Sequence, residues 1–296
     1  MLEHLTTETQ NPATLNLDLM SPLEFVKAMN DENFNVINAV EKALPAIARV
    51  IETAAARLKA GGRLIYAGAG TSGRIGLMDA VECVPTFGVP PGIVIGLIAG
   101  GEGAFVKAVE GAEDREDLAV KDLQAISLNS KDMLVGLAAS GRTPYVIGGL
   151  KYARSVGAAT AALACNYASE IGALAEMPIE IDAGAEVLTG STRLKAGTGQ
   201  KIILNMISTG AMIQIGKVYG NLMVDVLTTN KKLVDRARRI LMRATGVDYE
   251  TADKTLRETG DKVKPAIVMI LNRCSFEEAR IILEKNGGFI RRSIVH

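Results

Sequence analysis

From residue 63 to residue 82 the chain reads RLIYAGAGTSGRIGLMDAVE, and this segment guides the interpretation of the rest. The apolar run at 64–67 predicts a buried strand, and the glycines and hydroxyls at 68–73 predict a loop before a helix that starts near Arg74. The first N–H groups of a helix have no partner within it, and the helix dipole favours negative charge there. We therefore expect a phosphate group at this loop.

Downstream of this segment, apolar strands alternate with helices. Further strands are predicted at 93–99, 132–138, 158–164 and 179–181, and a long helix at 194–219. Continuous apolar strands that are each followed by a helix predict an α/β fold with a parallel sheet between helices. Ligands of such sheets lie beyond the carboxyl ends of the strands.

Three parts are predicted along the chain. Residues 1–54 form an N-terminal arm and helices, residues 55–230 form the sheet domain, and residues 231–296 form a small C-terminal all-helical subdomain. The last part opens with a basic amphipathic helix at 231–245, and three short helices follow it at 249–259, 263–272 and 275–286.

Several helix boundaries follow from local signals. Ser21-Pro22 is typical of a helix start, and the short helix that it opens is expected to end near Asn30. A second helical stripe runs from 33 to 60, and Pro45 is expected to bend or break it. Helices are also predicted at 103–110 and 114–126.

Composition limits the class of protein. Among 296 residues, 33 basic and 33 acidic side chains give a net charge of zero, which offers no electrostatic reason to expect nucleic acid or a membrane as partner. No apolar stretch approaches the length of a bilayer span, and the N-terminus lacks a secretory pattern, so we expect a cytoplasmic protein.

Metal and cofactor chemistry find little support in the residue types. The cysteines Cys83, Cys165 and Cys274 are too few and too far apart for a disulfide framework or a metal cluster, and we expect them to be reduced and buried. The histidines, His4 and His296, stand at the two ends of the sequence, so a histidine-based mechanism is not predicted. We expect no metal and no cofactor.

The glycine loop matches a dinucleotide fingerprint by letters alone, as Gly68-x-Gly70-x-x-Gly73. That fingerprint requires an acidic residue at the end of the next strand, where this chain has Ala99-Gly100-Gly101. No Walker lysine follows the loop either. The sequence therefore disfavours nicotinamide, flavin and nucleoside triphosphate ligands.

Small hydroxyl-bearing loops recur at 70–74, 139–143 and 190–193. Each of them alone is typical of an ordinary helix cap. The three together, two of them at predicted strand ends, favour an anion site.

Two carboxylates stand out. Glu82 follows Asp79 by three residues on one helical face, where a carboxylate is usually a solvated surface group. The apolar neighbours Met78 and Val81 favour partial burial, which would raise its pKa. Glu113 lies in a cluster of five acids, and the ordinary interpretation of such acids is the first turn of a helix.

Longer strings carry a resemblance to known proteins. The loops at 68–74 and 138–144 are similar to those of the sugar-isomerase (SIS) fold, a flavodoxin-like parallel sheet whose Ser/Thr loops hold phosphosugars. Segments across nearly the whole chain, together with the helical C-terminal part, resemble bacterial N-acetylmuramic acid 6-phosphate etherases; the most specific are TETQNPAT at 7–14, DAVECVPTFG at 79–88, AGGE at 99–102, EGAED at 110–114 and TGSTRLKAGTGQK at 189–201.

The resemblance implies cleavage of the D-lactyl ether at C3 of a phosphorylated amino sugar, with Glu82 and Glu113 as the acid/base pair. Our hypothesis takes Glu82 as the acid on the lactate oxygen and Glu113 as the base at C2. The candidate phosphate contacts are Ser72, Ser140, Ser191 and Thr192. The family is also expected to form homodimers.

Two alternatives remain open at this stage. One is a phosphosugar aldose–ketose isomerase of the same fold, which removes a C2 proton but releases no lactate. The other is a non-catalytic sugar-phosphate-binding regulator, because etherase-like domains also occur in a longer protein that binds glucokinase.

Overall fold

A five-stranded parallel sheet forms the centre of the first of two compact units in the computed structural model, which describes residues 5–228 and 231–294. The strands are β1 Leu64–Gly68, β2 Val94–Ile98, β3 Met133–Ala138, β4 Ala159–Ala164 and β5 Met177–Glu180. Their order is β2-β1-β3-β4-β5, and every pairing is parallel, which is the flavodoxin-like order. Strands β1, β3 and β4 are buried at every position, which explains their continuous apolar runs. The predicted α/β fold is confirmed.

The first unit comprises Met1–Val81 and Gly92–Ser208, and the second comprises Glu82–Pro91 and Thr209–His296. The predicted boundary at 230/231 touches residues 229–230, which lie outside the described residues. The three-part division at 54/55 and 230/231 stays a prediction.

Helices alternate with the strands of the sheet. They are α1 Pro22–Lys59, α2 Gly70–Phe87, α3 Glu116–Ala125, α4 Pro144–Ser155, α5 Glu170–Leu174 and α6 Lys195–Gln214. The N-terminal arm before α1 contains short 3₁₀ turns at Thr6–Glu8, Pro12–Thr14 and Leu17–Leu19. Among the described residues, no helix combines the length and apolar character needed to cross a membrane.

Helix α1 corrects two sequence expectations. It begins where Ser21 and Glu24 form a capping box, as Ser21-Pro22 predicts, but it continues for 38 residues with no interruption near Asn30 or at Pro45. Pro45 is exposed on the outer side of the helix, while Ala43 and Ile47 on either side of it are buried. Apolar packing along the inner face thus outweighs the one hydrogen bond that proline removes.

The helix predicted at 103–110 is wrong. Only a 3₁₀ turn, Glu102–Phe105, forms there, and the chain then runs irregularly to the start of α3. Val109 packs against Gly100, where an added Cβ would lie 2.7 Å from the Val109 Cβ. Tertiary contact with the strand end thus overrides the local helical pattern.

Close packing of α2 on the sheet depends on glycine. A Cβ on Gly73 would lie 2.6 Å from the carbonyl oxygen of Gly68, and one on Gly96 in β2 would lie 2.4 Å from the Cα of Leu77. These two glycines therefore let the helix and the strands approach each other closely. The distance of helix α2 from strands β1 and β2 therefore depends on glycine at these two positions.

The second unit has its own apolar core. Its elements are β6 Val218–Tyr219, β7 Leu222–Met223, α7 Lys231–Thr245, α8 Tyr249–Glu258, α9 Val263–Asn272, α10 Phe276–Lys285 and α11 Ile290–Ser293. Leu241, Leu256 and Ile267 are among the buried residues that hold it together. The four longer helices were predicted within a residue or two; the antiparallel β6–β7 hairpin was not.

Candidate active site

The carboxyl end of β1 leads directly into the N-terminus of α2. Gly70 has φ +53°, a left-handed conformation that turns the chain from strand to helix, and a Cβ there would meet nothing within 4 Å. A cleft of about 210 Å³ opens beside it, lined on one side by Ala69, Gly70 and Arg74 and on the other by the irregular segment that ends at Glu113. The predicted anion loop therefore borders a cavity.

Glu113 lies where this cleft adjoins a second one of about 560 Å³, since the residue lines both. The second cleft is also lined by Ser140, Arg142 and Thr143 from the loop that follows β3. The Glu113 side chain is exposed, while its backbone oxygen accepts a hydrogen bond of 2.9 Å from the N–H of Tyr145 in α4. The fold thus brings the predicted base to the predicted Ser140 loop and holds its backbone in place.

Two arginines lie among the acidic residues of this region. The guanidinium of Arg74 donates to the carbonyls of Phe105 (2.9 Å) and Ala104 (2.8 Å), which ties the 3₁₀ turn to α2. Arg142 is half-buried at the second cleft. Each cleft therefore has one arginine beside two acidic residues, and the arginine is the part of the lining that attracts an anion.

Ser72 lies in the first turn of α2 and is not among the residues that line the two clefts. Its side chain is buried, and its hydroxyl donates to Oε1 of Gln200 in α6 at 2.9 Å. The structure therefore gives this hydroxyl a protein partner, and its contact with phosphate stays a prediction.

The loop that carries Ser191 and Thr192 ends at α6, and a carboxylate already occupies the N-terminus of that helix. Glu186, which is 1% exposed, accepts from the N–H groups of Lys195 (3.0 Å) and Ala196 (2.9 Å). The first N–H groups of α6 are thus taken by the protein itself. The predicted contacts Ser191 and Thr192, which are half-buried, stay predictions.

This third loop nevertheless lies close to the first. A Cβ on Gly197 would be 3.5 Å from the carbonyl oxygen of Thr192 and 3.5 Å from Cγ2 of Thr71. Residues 191–192 are therefore neighbours of the first turn of α2. Two of the three predicted hydroxyl loops adjoin there, and the Ser140 loop joins the site through Glu113.

Glu82 lies near the C-terminal end of α2 and is exposed, so the expected partial burial is wrong for the single chain. The apolar side chains that favoured burial are themselves exposed, Met78 by 40% and Val81 by 62%. Its catalytic role stays a prediction.

Three polar residues near the site were not singled out from the sequence: Glu186, Gln200 and Asn166. The amide of Asn166, which is buried, donates both to the Thr7 hydroxyl (3.2 Å) and to the carbonyl of Ala139 (3.1 Å), the residue before Ser140. The N-terminal arm is thereby tied to the end of β3. The TETQNPAT string marked this arm as similar to the family, but its pattern alone showed no partner.

The cysteines offer no nucleophile at this site. Cys83 and Cys165 are buried as expected, and Cys274 is half-buried. Burial, together with the negative charges of Glu186 and Asp182, raises the pKa of the Cys165 thiol to about 12. His4 and His296 lie outside the described residues.

Comparisons with known proteins identify the fold and the family of this chain. Residues 46–154 match the family model described as the glucokinase regulatory protein N-terminal SIS domain. Among solved structures, a phosphoheptose isomerase from Francisella tularensis superposes with a TM-score of 0.51 at 17% identity, covering 66% of this chain and 100% of that one. One from Neisseria gonorrhoeae gives 0.51 at 16%, covering 64% and 98%. At these identities the likeness shows the fold alone.

Curated relatives match along almost the full length. An N-acetylmuramic acid 6-phosphate etherase of Halalkalibacterium halodurans is 58% identical over 294 residues, which is 99% of each chain. Another, of Serratia proteamaculans, is 59% identical over 290 residues, or 98% of each chain. This chain therefore belongs to the N-acetylmuramic acid 6-phosphate etherase family.

Proposed function

We propose that this protein cleaves the D-lactyl ether of N-acetylmuramic acid 6-phosphate, giving N-acetylglucosamine 6-phosphate and D-lactate, in the recycling of cell-wall sugars. Membership of the etherase family over nearly the full length supports this activity. We assign binding of the phosphosugar to residues 55–230, which contain the sheet and its hydroxyl loops.

The observation that carries the proposal is the position of Glu113. Glu113 lines both the cleft at the N-terminus of α2 and the cleft at the Ser140 loop. A sugar phosphate bound by the helix N-terminus would have its carbon chain in these clefts, within reach of a carboxylate base. The site thus combines an anion-binding loop with a general base.

The chemistry suits two carboxylates. When the sugar ring opens to its aldehyde, the hydrogen at C2 becomes acidic, and Glu113 removes it as a proton. Glu82 protonates the lactate oxygen as the C3–O bond breaks, which leaves an α,β-unsaturated aldehyde. Water then adds at C3, with its hydroxyl on that carbon and a proton returned to C2. Glu113 must be ionised and Glu82 protonated at the start, which requires different surroundings for the two.

Substitution of each glutamate separates the two roles. Glu113→Gln is expected to abolish exchange of the C2 hydrogen with heavy water, and normal exchange would remove Glu113 as the base. Glu82→Gln is expected to stop release of D-lactate while exchange at C2 continues. Normal lactate release by that variant would contradict the acid role.

For the phosphate we propose the N-terminus of α2 with Ser72, Ser140, Ser191 and Thr192. Because Glu186 occupies the N-terminus of α6, we assign no backbone N–H of that helix to the ligand. Removal of one hydroxyl that binds a charged group is expected to weaken binding by roughly 1.5–3 kcal/mol, or about ten- to a hundredfold. Titration of the Ser140→Ala variant with N-acetylglucosamine 6-phosphate measures this loss.

We also propose that the protein is a homodimer. Met78 and Val81 expose apolar surface on α2 next to Glu82, and a second copy that covered them would place the acid in a less aqueous setting. A cytoplasmic location is proposed as well, and it suits a chain whose cysteines form no disulfide with one another.

Assay of free D-lactate distinguishes this proposal from the isomerase alternative, which releases none. Turnover with substrate in large excess over protein excludes the regulator alternative. Absence of lactate from a protein that converts an aldose phosphate into a ketose would overturn the proposed function.

A further inference from the structure

Gln200 carries an amide group that the mechanism above does not use. The residue lies on α6 and is 1% exposed, and its Oε1 accepts the Ser72 hydroxyl at 2.9 Å. Its Nε2 is buried and has no hydrogen-bond partner among the described residues. A buried donor without a partner is unfavourable, so a change that gives this N–H an acceptor stabilises the amide.

The amide has a second orientation that uses the same space. Oxygen and nitrogen of a glutamine amide are nearly identical in shape, and rotation by 180° about the last side-chain bond exchanges them. After rotation Nε2 donates to the Ser72 oxygen, and the hydroxyl proton is released to point elsewhere. Rotation pairs Nε2 but leaves Oε1 and the Ser72 hydroxyl proton without partners, so the first orientation is preferred while the site is empty.

A bound phosphate favours the rotated orientation, because a phosphate oxygen accepts the Ser72 hydroxyl proton. Ser72 lies in the first turn of α2, where backbone N–H groups also favour an anion. We propose that Gln200 is a positioning residue for phosphate binding: with substrate bound, Gln200 Nε2 donates to Ser72 Oγ, and Ser72 donates to a phosphate oxygen. Hydrogen bonds that run in one direction towards a charge strengthen one another. This inference rests on the proposed function, because it requires phosphate at α2.

The Gln200→Glu variant tests the relay. An ionised carboxylate only accepts, so it holds the Ser72 proton permanently and repels the phosphate. The dissociation constant of N-acetylglucosamine 6-phosphate and the KM of the etherase substrate are expected to rise about ten- to a hundredfold, while kcat changes much less. As a control, Lys201→Met alters an exposed position next to it on α6 and is expected to bind like the wild type.

A pH series distinguishes the relay from general damage to α6. Below its pKa the introduced carboxyl is protonated and donates again, so the affinity ratio of variant to wild type should return towards one as the pH falls. The ratio at each pH also removes the effect of phosphate protonation, which both proteins share. A loss of affinity that is independent of pH would overturn the relay.

A second pair of variants keeps the inference testable if Gln200→Glu does not fold. Gln200→Met removes the amide at nearly constant volume, and the relay predicts that Ser72→Ala costs less affinity in that background than in the wild type. Additive losses would overturn the inference. If wild-type protein neither binds N-acetylglucosamine 6-phosphate nor releases lactate, the proposed function fails instead.

Discussion

Replacement of Glu186 by alanine removes the anion from the N-terminus of α6. The Glu186 carboxylate accepts from two backbone donors, the N–H groups of Lys195 at 3.0 Å and Ala196 at 2.9 Å. Glu186, Lys195 and Ala196 are 1%, 2% and 3% exposed, so water has little access to these donors. Alanine at position 186 therefore leaves two buried N–H groups without a partner.

The expected loss of stability follows from these contacts. Loss of one helix cap costs up to about 2 kcal/mol, and a buried donor left unsatisfied costs about 1–3 kcal/mol. Removal of the carboxylate also removes the cost of burying that charged group. The total loss for the two donors should therefore stay below twice the upper value of about 3 kcal/mol for one donor. We expect Glu186→Ala to lower the free energy of unfolding by about 3 kcal/mol, and Glu186→Gln, which keeps one acceptor, by about half as much.

Urea unfolding followed by far-ultraviolet circular dichroism measures the effect. Glu52→Ala serves as the control, because Glu52 is exposed on α1 and its loss should change stability by less than about 0.5 kcal/mol. The Ser191–Thr192 loop just before α6 should loosen as well, which predicts weaker binding of N-acetylglucosamine 6-phosphate. A Glu186→Ala protein as stable as Glu52→Ala would refute the reasoning.

Three further predictions concern packing, pH and assembly. Gly96→Ala would place a Cβ 2.4 Å from the Cα of Leu77, so urea unfolding should show a loss of roughly 1–3 kcal/mol, whereas Gly103→Ala, with nothing within 4 Å, should be nearly neutral. The pKa of Cys165 is raised to about 12 from an ordinary value of 9.0, so the unfolded chain releases this proton at lower pH than the folded chain does. The free energy of unfolding should therefore fall as the pH rises above about 9, and it should fall less in Cys165→Ala. If the free energy of unfolding falls equally with pH in the wild type and in Cys165→Ala, the effect of burial on the thiol is contradicted. Val81→Asp puts a charge on a side chain that is 62% exposed in one chain, and light scattering should show monomers if this face forms the dimer; an unchanged mass would exclude the face.

Local sequence patterns were sufficient to predict most of the strands and helix starts. Strands buried on both faces must be apolar throughout, so β1, β3 and β4 are visible as runs in the sequence. Helix starts such as Ser21 and Ser275 are encoded within four residues, because their capping boxes close locally. The errors arose where distant contacts override propensity.

The continuous path of α1 through Pro45 shows such an override, since burial on its inner face maintains the helix. The missing helix at 103–110 shows another, because Val109 packs onto Gly100. The stripe at 33–60 shows which face of α1 is apolar, but not that packing there outweighs Pro45. The contact of Val109 with Gly100 leaves no signal in the local pattern.

For the site, the sequence pattern led to the hydroxyl loops but gave Glu82 and Glu113 ordinary surface interpretations. The resemblance supplied the catalytic roles of the two glutamates. Which of them share a cavity depends on the sheet order, which brings the loops after β1 and β3 together around Glu113. Whether a given hydroxyl faces ligand or protein depends on a partner far along the chain. Ser72 and Gln200 are 128 positions apart, and only the packing of α2 against α6 joins them. Residue type and spacing record that a side chain can bind an anion, while its direction is set by the neighbours that the fold places around it.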